Sequence, residues 1–247
     1  MKTARRSAAS GALVSAIAGG TAVRCAVLAA VLVCAAPVCA QVGPSAAEAA
    51  RYAGLHAAAQ LGDVVAAERL IAARAPLNAR DANGRTPLHV ATFARQRDVM
   101  QALARAGADL GACDNDRYDA VTIAAVADDE ESLRLLLAAG ASAKLVTSRY
   151  DGTALIAAAH LGHDGVVRQL IQAGAPLDHV NNLHWTALIE AIVLGNGGAR
   201  HVATLRALVD AGASTRLADS EGRSPLALAR GRGYAEMVGI LERAGAK

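Results

Sequence analysis

DANGRTPLHVA, at residues 81–91, is the clearest of six copies of one short pattern that fill the chain from about residue 51 to its end. The position of Thr86 recurs in the other five copies, at Ala53, Asp119, Thr153, Thr186 and Ser224. The intervals between these positions are 33, 33, 34, 33 and 38 residues. A regular period of this size indicates a stack of small structural units that share one continuous core.

Each copy has the spacing of two short helices. Apolar residues recur at helical spacing, as in the clearest copy at Leu88, Ala91, Val99 and Leu103. Thr86 is placed to cap the first helix, and Pro87 suits its first turn, where no amide donor is needed. The glycine column that includes Gly107 suits a position after the second helix where φ is positive. The sequence therefore predicts helix, turn, helix and polar loop in each copy.

This pattern resembles the ankyrin repeat family. T-P-L-H at residues 86–89 is the family signature, and a Gly-Ala pair stands near the end of five of the six copies. The first copy departs from the pattern with Arg74-Ala75, and the third has DAVT at residues 119–122 in place of T-P-L-H. The resemblance covers roughly 195 of the 247 residues. It implies an all-α repeat solenoid of about six stacked helix–turn–helix repeats with β-hairpin or loop fingers.

The chain divides into three predicted segments. Residues 1–40 form a leader, residues 41–50 form a short linker, and residues 51–247 form the repeat domain. The predicted repeats lie near residues 51–80, 81–113, 114–147, 148–180, 181–218 and 219–247. The fifth repeat carries five extra residues around 195–200, and their glycines predict a flexible loop between its two helices.

The leader has the composition of a secretory signal peptide. It contains four basic residues and no acidic one, and residues 25–38 are almost wholly apolar. Small residues precede Gln41, which predicts cleavage after Ala40. A transmembrane anchor is the alternative, although a span needs about 20 apolar residues and this run is shorter. Cleavage would give a periplasmic or secreted protein with no remaining membrane segment.

Removal of the leader changes both charge and cysteine content. The full chain has a net charge of +3, whereas 21 basic and 22 acidic residues follow Ala40. A nearly neutral domain lacks the basic footprint of nucleic-acid-binding proteins, so no nucleic-acid partner is expected. Cys113 is the one cysteine after Ala40. It is either an incidental loop residue or a redox-responsive thiol, and the second requires a lowered pKa.

The column directly before the Thr86 position holds residue types that dominate protein interfaces. It consists of Tyr52, Arg85, Tyr118, Gly152, Trp185 and Arg223. Tyrosine, tryptophan and arginine are the types most enriched at interface hot spots. Three of the six aromatic residues in the chain lie in this column. Their concentration at loop positions predicts partner contact, and packing between neighbouring loops is the alternative.

The family resemblance implies a binding face built from the loop tips and the first helix of each repeat. Besides the column before the Thr86 position, this face includes Phe93 on a first helix and Arg149 and Tyr150 in the fourth loop. The predicted partner-binding residues are Arg85, Phe93, Tyr118, Arg149, Tyr150, Trp185 and Arg223. Loss of Tyr118 and Trp185 is therefore expected to abolish partner capture with little change in stability.

The sequence lacks a recognisable constellation for catalysis. It contains no Cys-His cluster with zinc spacing, no glycine-rich phosphate loop and no nucleophile elbow. His56 and His89 stand in the T-P-L-H column, where the resemblance implies bonds to neighbouring backbone. We expect a non-enzymatic monomer without cofactor or metal that binds another protein. Three roles are open. The chain is an accessory protein that binds an exported enzyme, an immunity or inhibitor protein that binds a toxin, or a secreted effector that binds a host protein.

Overall fold

The computed structural model describes residues 41–247, which form thirteen helices and one two-stranded hairpin. The first seven helices are α1 (Ala46–Ala49), α2 (Gly54–Leu61), α3 (Val64–Ala72), α4 (Pro87–Phe93), α5 (Arg97–Arg105), α6 (Ala120–Val126) and α7 (Glu130–Ala138). The hairpin follows with β1 (Val146–Thr147) and β2 (Gly152–Thr153). The remaining helices are α8 (Ala154–Leu161), α9 (Asp164–Gln172), α10 (Ala187–Val193), α11 (Ala199–Asp210), α12 (Pro225–Arg232) and α13 (Ala235–Arg243). The predicted signal peptide lies outside the described residues.

The helices form two parallel rows. The first helices of the repeats, α2, α4, α6, α8, α10 and α12, each contact the next one in the row. The second helices, from α3 to α13, form the other row in the same order. Val146 pairs with Thr153 in the antiparallel β1–β2 finger. This stack of helical hairpins confirms the predicted all-α repeat solenoid.

Side-chain caps explain where five of the six first helices begin. The Thr86 side chain accepts a hydrogen bond from the His89 amide, and Pro87 occupies the first turn of α4. The third repeat lacks the threonine, but Asp119 Oδ1 accepts from the Thr122 amide at 2.8 Å. Because aspartate caps as well as threonine does, the weakest copy of the sequence motif still starts a helix at the same position.

The turn between the two helices needs a left-handed backbone whether or not glycine is present. Gly162 has φ 69° at this turn in the fourth repeat. Arg95 and Asp128 stand at the same position in the second and third repeats, with φ 55° and 52°. Residues with a Cβ adopt this conformation only when the surrounding structure enforces it. The stacking of neighbouring helices therefore fixes the turn geometry, and glycine only makes it less costly.

The T-P-L-H histidine joins one repeat to the next. His89 Nδ1 accepts from the Thr86 amide at 3.0 Å, so Nε2 carries the proton and donates to the Tyr118 carbonyl at 3.0 Å. Burial lowers the pKa of His89, which keeps the ring neutral in this role. His56 makes the equivalent contact, with Nε2 lying 3.0 Å from the Arg85 carbonyl oxygen. The expected backbone role of both histidines is confirmed.

Small and branched apolar side chains fill the core between the two rows. Leu88, Leu155 and Leu188 occupy one column of the first helices, and each is at most 1% exposed. Alanines three residues later are also buried, which lets neighbouring helices approach closely. Across residues 41–247, no helix combines the length and the apolarity that a membrane span requires.

Candidate partner-binding surface

Arg85 lies inside the fold. Its side chain is 3% exposed, with Nε 2.7 Å from Asp81 Oδ2 and Nη2 2.8 Å from Glu48 Oε1. Burial alone would raise the pKa of Asp81, but hydrogen bonds from Tyr52 and Arg85 hold that pKa below its ordinary value. Arg85 therefore joins the second repeat to the segment that precedes the first. It presents almost no surface to a partner, which revises the prediction made from its column.

Tyr118 also lies within the fold. It is 8% exposed, its amide donates to Asp114 Oδ1 at 2.9 Å, and its carbonyl accepts from His89. This burial leaves little of the Tyr118 side chain for a partner, and its role in partner binding stays a prediction. Trp185 is half-buried and packs against the core, so it presents only part of its ring to solvent.

Arg223 occupies the same column near the C-terminal end, with a different exposure. Its side chain is 49% exposed and pairs with Asp219 Oδ2 at 2.7 Å and with Glu221 Oε2 at 3.2 Å. All three residues belong to one loop, so the contacts are local. Arg223 remains accessible for the predicted partner contact.

Two adjoining loops expose large apolar side chains. Tyr150, Val180 and Leu183, which we call the loop patch, are 37%, 43% and 41% exposed. The Asn182 amide donates to the Tyr150 carbonyl at 3.0 Å, and Asn182 Nδ2 donates to the Arg149 carbonyl at 3.1 Å. These bonds hold the two loops side by side. The loop patch therefore exposes apolar side chains on two loops that are bonded to each other, and exposed apolar groups of this kind can form protein interaction sites.

Ion pairs stiffen the loops beside the loop patch. Arg149 Nη2 lies 2.8 Å from Asp116 Oδ1, and Arg117 Nη1 lies 2.8 Å from Asp151 Oδ1. Each pair crosses from the third loop to the fourth, and all four side chains are at least half exposed. Exposed pairs contribute little to stability, but they restrict the positions that the loop tips adopt.

Phe93 lies on the first-helix face of the second repeat, whereas the loop patch belongs to the loops of the fourth and fifth repeats. It is half-buried, and a methyl group on Gly43 would lie 3.2 Å from its Cδ1. Residues 41–50, which we call the N-terminal segment, thus pack against a predicted binding residue. The sequence predicts only a short linker here.

A polar cluster on the first-helix face was missed by sequence reasoning. Glu190 is 5% exposed, and its carboxylate lies 2.8 Å from Asn181 Nδ2 and 3.1 Å from His160 Nδ1. The signal was present in the repeat columns. Glu190 stands where the second repeat has Val90, and Asn181 replaces the aspartate that begins most other loops. Asn181 supplies the donor that a buried carboxylate needs.

The five extra residues of the fifth repeat are tied to the stack. Arg200 Nη1 and Nη2 contact the Asp128 carboxylate at 2.8 and 3.0 Å, and Arg200 Nε lies 3.2 Å from Asp164 Oδ1. The hydrogen bonds from Arg200 hold the pKa of Asp128 below its usual range. Helix α11 has twelve residues, against nine in the other second helices. The insertion therefore lengthens α11 and also leaves a loop at residues 194–198 between the two helices, where a loop was predicted.

Cys113 shows no sign of an activated thiol. Its side chain is partly buried, and its pKa is raised, first by burial and then by the nearby Asp119 and Asp114 carboxylates. A raised pKa lowers the thiolate fraction and hence the reactivity. Of the two interpretations of this residue, the incidental one fits its surroundings.

Other features of the described residues do not add a chemical site. Within residues 41–247, no three His, Cys, Asp or Glu side chains are grouped to hold a metal ion. A cleft of about 400 Å³ lies between α5 and α7, where Met100, Ala104 and Leu136 line it. This cleft lies on the second-helix row, whereas the loop patch extends from the first-helix side.

Known proteins share this architecture over most of the chain. The family model "Ankyrin repeats (3 copies)" matches residues 38–114, 55–147 and 121–210. The ankyrin repeat protein YahD of Escherichia coli (strain K12) is 36% identical over 190 residues, which cover 76% of this chain and 94% of YahD. An ankyrin repeat domain from Acinetobacter baumannii AYE is 44% identical with a TM-score of 0.75, covering 78% of this chain and 98% of that domain. The ankyrin repeat domain of Bcl-3, a member of the IkappaB protein family, is 29% identical with a TM-score of 0.71. The match covers 80% of this chain and 88% of the Bcl-3 domain. The chain belongs to the ankyrin repeat family.

Proposed function

We propose that this chain is a non-enzymatic scaffold that binds a partner protein through the loop patch and the adjoining first-helix residues. Ankyrin repeats generally mediate protein–protein binding, and ankyrin repeat proteins are typically non-enzymatic. The observation that carries the proposal is the exposure of Tyr150, Val180 and Leu183 on two loops that hydrogen bonds hold together. Exposed apolar groups on a rigid support lose little entropy when they become ordered in a complex.

The polar groups around the loop patch suit a specific interface. Arg149 and Trp185 flank the patch, and both are residue types that anchor interfaces. On the neighbouring first-helix face, the His160 side chain is 17% exposed and contacts the buried Glu190 carboxylate. The surface therefore offers an apolar centre with polar groups beside it, as protein interfaces do.

Replacement of Tyr150 and Leu183 by alanine should abolish partner capture. Both side chains are exposed, so their loss should change the free energy of unfolding by less than about 1 kcal/mol. The measurement is affinity capture from the native periplasm with the full chain carrying a C-terminal tag, followed by identification of the proteins that only the wild type retains.

The matched control is the double replacement Leu61→Ala and Val65→Ala. These side chains are 77% and 73% exposed but belong to the first repeat, distant along the stack from the loop patch. The control should capture the partner as the wild type does. If the control and the loop-patch variant lose the partner equally, general surface apolarity accounts for capture and the loop patch is not the site.

We also propose that the protein is exported to the bacterial periplasm and serves as an accessory protein for an exported enzyme. The basic, then apolar, leader at residues 1–40 supports export. An immunity or inhibitor role against a toxin, and a secreted effector role, are the alternatives. The captured partner separates them, since it would be an exported enzyme, a toxin or a host protein.

Export predicts a defined N-terminus. The tagged full chain should be recovered from the periplasmic fraction with Gln41 as its first residue, as N-terminal sequencing would show. A chain in which a start methionine replaces residues 1–40 should stay in the cytoplasm. Recovery of an intact leader in the membrane fraction would instead establish the transmembrane anchor.

A further inference from the structure

The N-terminal segment makes contacts that a passive linker does not need. Glu48 Oε1 accepts from Arg85 Nη2 at 2.8 Å and also accepts from Asn83 Nδ2. The Val42 carbonyl lies 3.5 Å from Arg85 Nη1. Gly43 packs on the Phe93 ring so closely that even a methyl group there would lie 3.2 Å from Phe93 Cδ1. One arginine thus holds the segment across the first-helix face, and the segment covers Phe93.

Repeat spacing explains why the segment fits there. Glu48 stands 33 residues before Asp81, so it occupies the column of the loop aspartates although no complete repeat precedes it. Elsewhere in the stack each loop donates to the loop before it, as the Asn115 amide does to the Asn83 carbonyl at 3.0 Å. Asn83 Nδ2 makes the corresponding contact with Glu48. The segment therefore takes the place of a preceding loop with far fewer bonds.

Apart from the contact between Glu48 and Arg85, the N-terminal segment is held only by weak, local interactions. Helix α1 has four residues, none of them buried, and a capping box between Ser45 and Glu48 closes its start. A helix this short does not persist without tertiary contacts. Val42 is 77% exposed, and within residues 41–247 the buried side-chain nitrogen of Gln41 has no hydrogen-bond partner. Loss of the Arg85 contact would therefore leave the segment held only by the Asn83 bond and the contact with Phe93.

We propose that the Phe93 end of the first-helix face is a binding site for a short peptide segment that carries a carboxylate, and that the N-terminal segment occupies this site in the free protein. Phe93 provides the apolar floor, and Arg85 receives the carboxylate. A partner that reaches this end must supply an acidic group in place of Glu48 and displace residues 41–48. The inference extends the proposed function to a second contact with defined chemistry.

The first test measures release of the segment in the full chain. Glu48→Gln keeps the capping box, since glutamine also serves at that position, but removes the charge that pairs with Arg85. Amide hydrogen exchange of residues 46–52 should become about tenfold faster, the scale of one lost charge-assisted hydrogen bond. Glu236→Gln, which removes the charge that pairs with Arg206 at the other end of the stack, should leave this exchange unchanged. Unchanged exchange in Glu48→Gln would overturn the proposal.

The second test measures exposure of position 93. Phe93→Trp combined with Trp185→Phe leaves one tryptophan in the full chain. Acrylamide should quench its fluorescence more strongly when Glu48→Gln is added. A synthetic peptide of residues 41–50 with an amidated C-terminus, added at millimolar concentration, should restore protection. The same peptide with glutamine in place of Glu48 should not.

Each outcome bears on a different part of the proposal. Faster exchange without greater quenching would show that the segment does not cover Phe93. Greater quenching that neither peptide reverses would rule out a site for a short acidic segment. Hydrogen exchange needs no introduced tryptophan, so it shows whether the N-terminal segment is released even if the double replacement fails to fold. None of these measurements uses the partner, so the proposal can fail while the loop patch still binds.

Discussion

Arg85→Ala should lower the free energy of unfolding by about 3 kcal/mol, because removal of one member of a buried ion pair leaves the other charge without compensation. Asp81 is 9% exposed on its side chain and would lose the Arg85 Nε contact at 2.7 Å. The N-terminal segment would also lose its main anchor at Glu48. Denaturant unfolding of the full chain measures the change.

Arg223→Ala is the matched control for this prediction. Arg223 occupies the same repeat column and pairs with Asp219, as Arg85 pairs with Asp81. The Arg223 side chain is 49% exposed although that of Asp219 is 1% exposed, so removal of Arg223 opens Asp219 to water and the loss of unfolding free energy should be clearly smaller than in Arg85→Ala. Equal losses in the two variants would mean that the loop ion pair itself stabilises the repeat and that the burial of Arg85 is irrelevant.

The fold could be predicted from the sequence because its determinants are local. A cap such as Thr86, a proline in the first turn and a left-handed residue after each helix fix the helical hairpin within one repeat. Asp119, which replaces the threonine in the weakest copy, also caps its helix, because its side chain accepts the same kind of hydrogen bond. Since each repeat contacts its neighbours in the same way, a correct hairpin implies the correct stack.

The binding surface could be predicted only in part, because exposure depends on what lies over each residue. Arg85 and Arg223 share a column, yet one is buried beneath the N-terminal segment and the other faces water. The residue type alone does not predict this difference in exposure, because both residues are arginines in the same repeat column. Tyr150, by contrast, is 37% exposed in its loop, and its role in partner binding stays a prediction.

Two further features required long-range information. Glu190 is buried with Asn181 and His160, which come from the preceding loop and the preceding repeat. Arg200 contacts Asp128, 72 residues earlier in the chain. Glycines around residue 197 predict flexibility when considered alone, but they cannot show that a distant carboxylate holds the arginine that follows them.

Tyr118→Ala should also destabilise the protein, by about 3 kcal/mol, the typical cost of truncating a buried aromatic side chain. The ring is 8% exposed, and the backbone of this residue receives the His89 bond that joins the second repeat to the third. A cavity at this position would loosen the contact between two repeats. The thermal and denaturant unfolding of the full chain should therefore shift clearly, contrary to the expectation from the sequence.

Tyr150→Ala separates the effect of burial from the effect of residue type. Tyr150 is 37% exposed in the neighbouring loop, so its truncation should change the free energy of unfolding by less than about 1 kcal/mol. A small effect at both positions would mean that the burial of Tyr118 contributes little to stability, so its use as a partner contact would remain open to test. A large effect at Tyr118 alone would show that loss of partner capture in a Tyr118 variant reports unfolding, whereas loss in a Tyr150 variant reports the interface. Binding experiments on this protein therefore depend on loop residues whose removal leaves the stack intact.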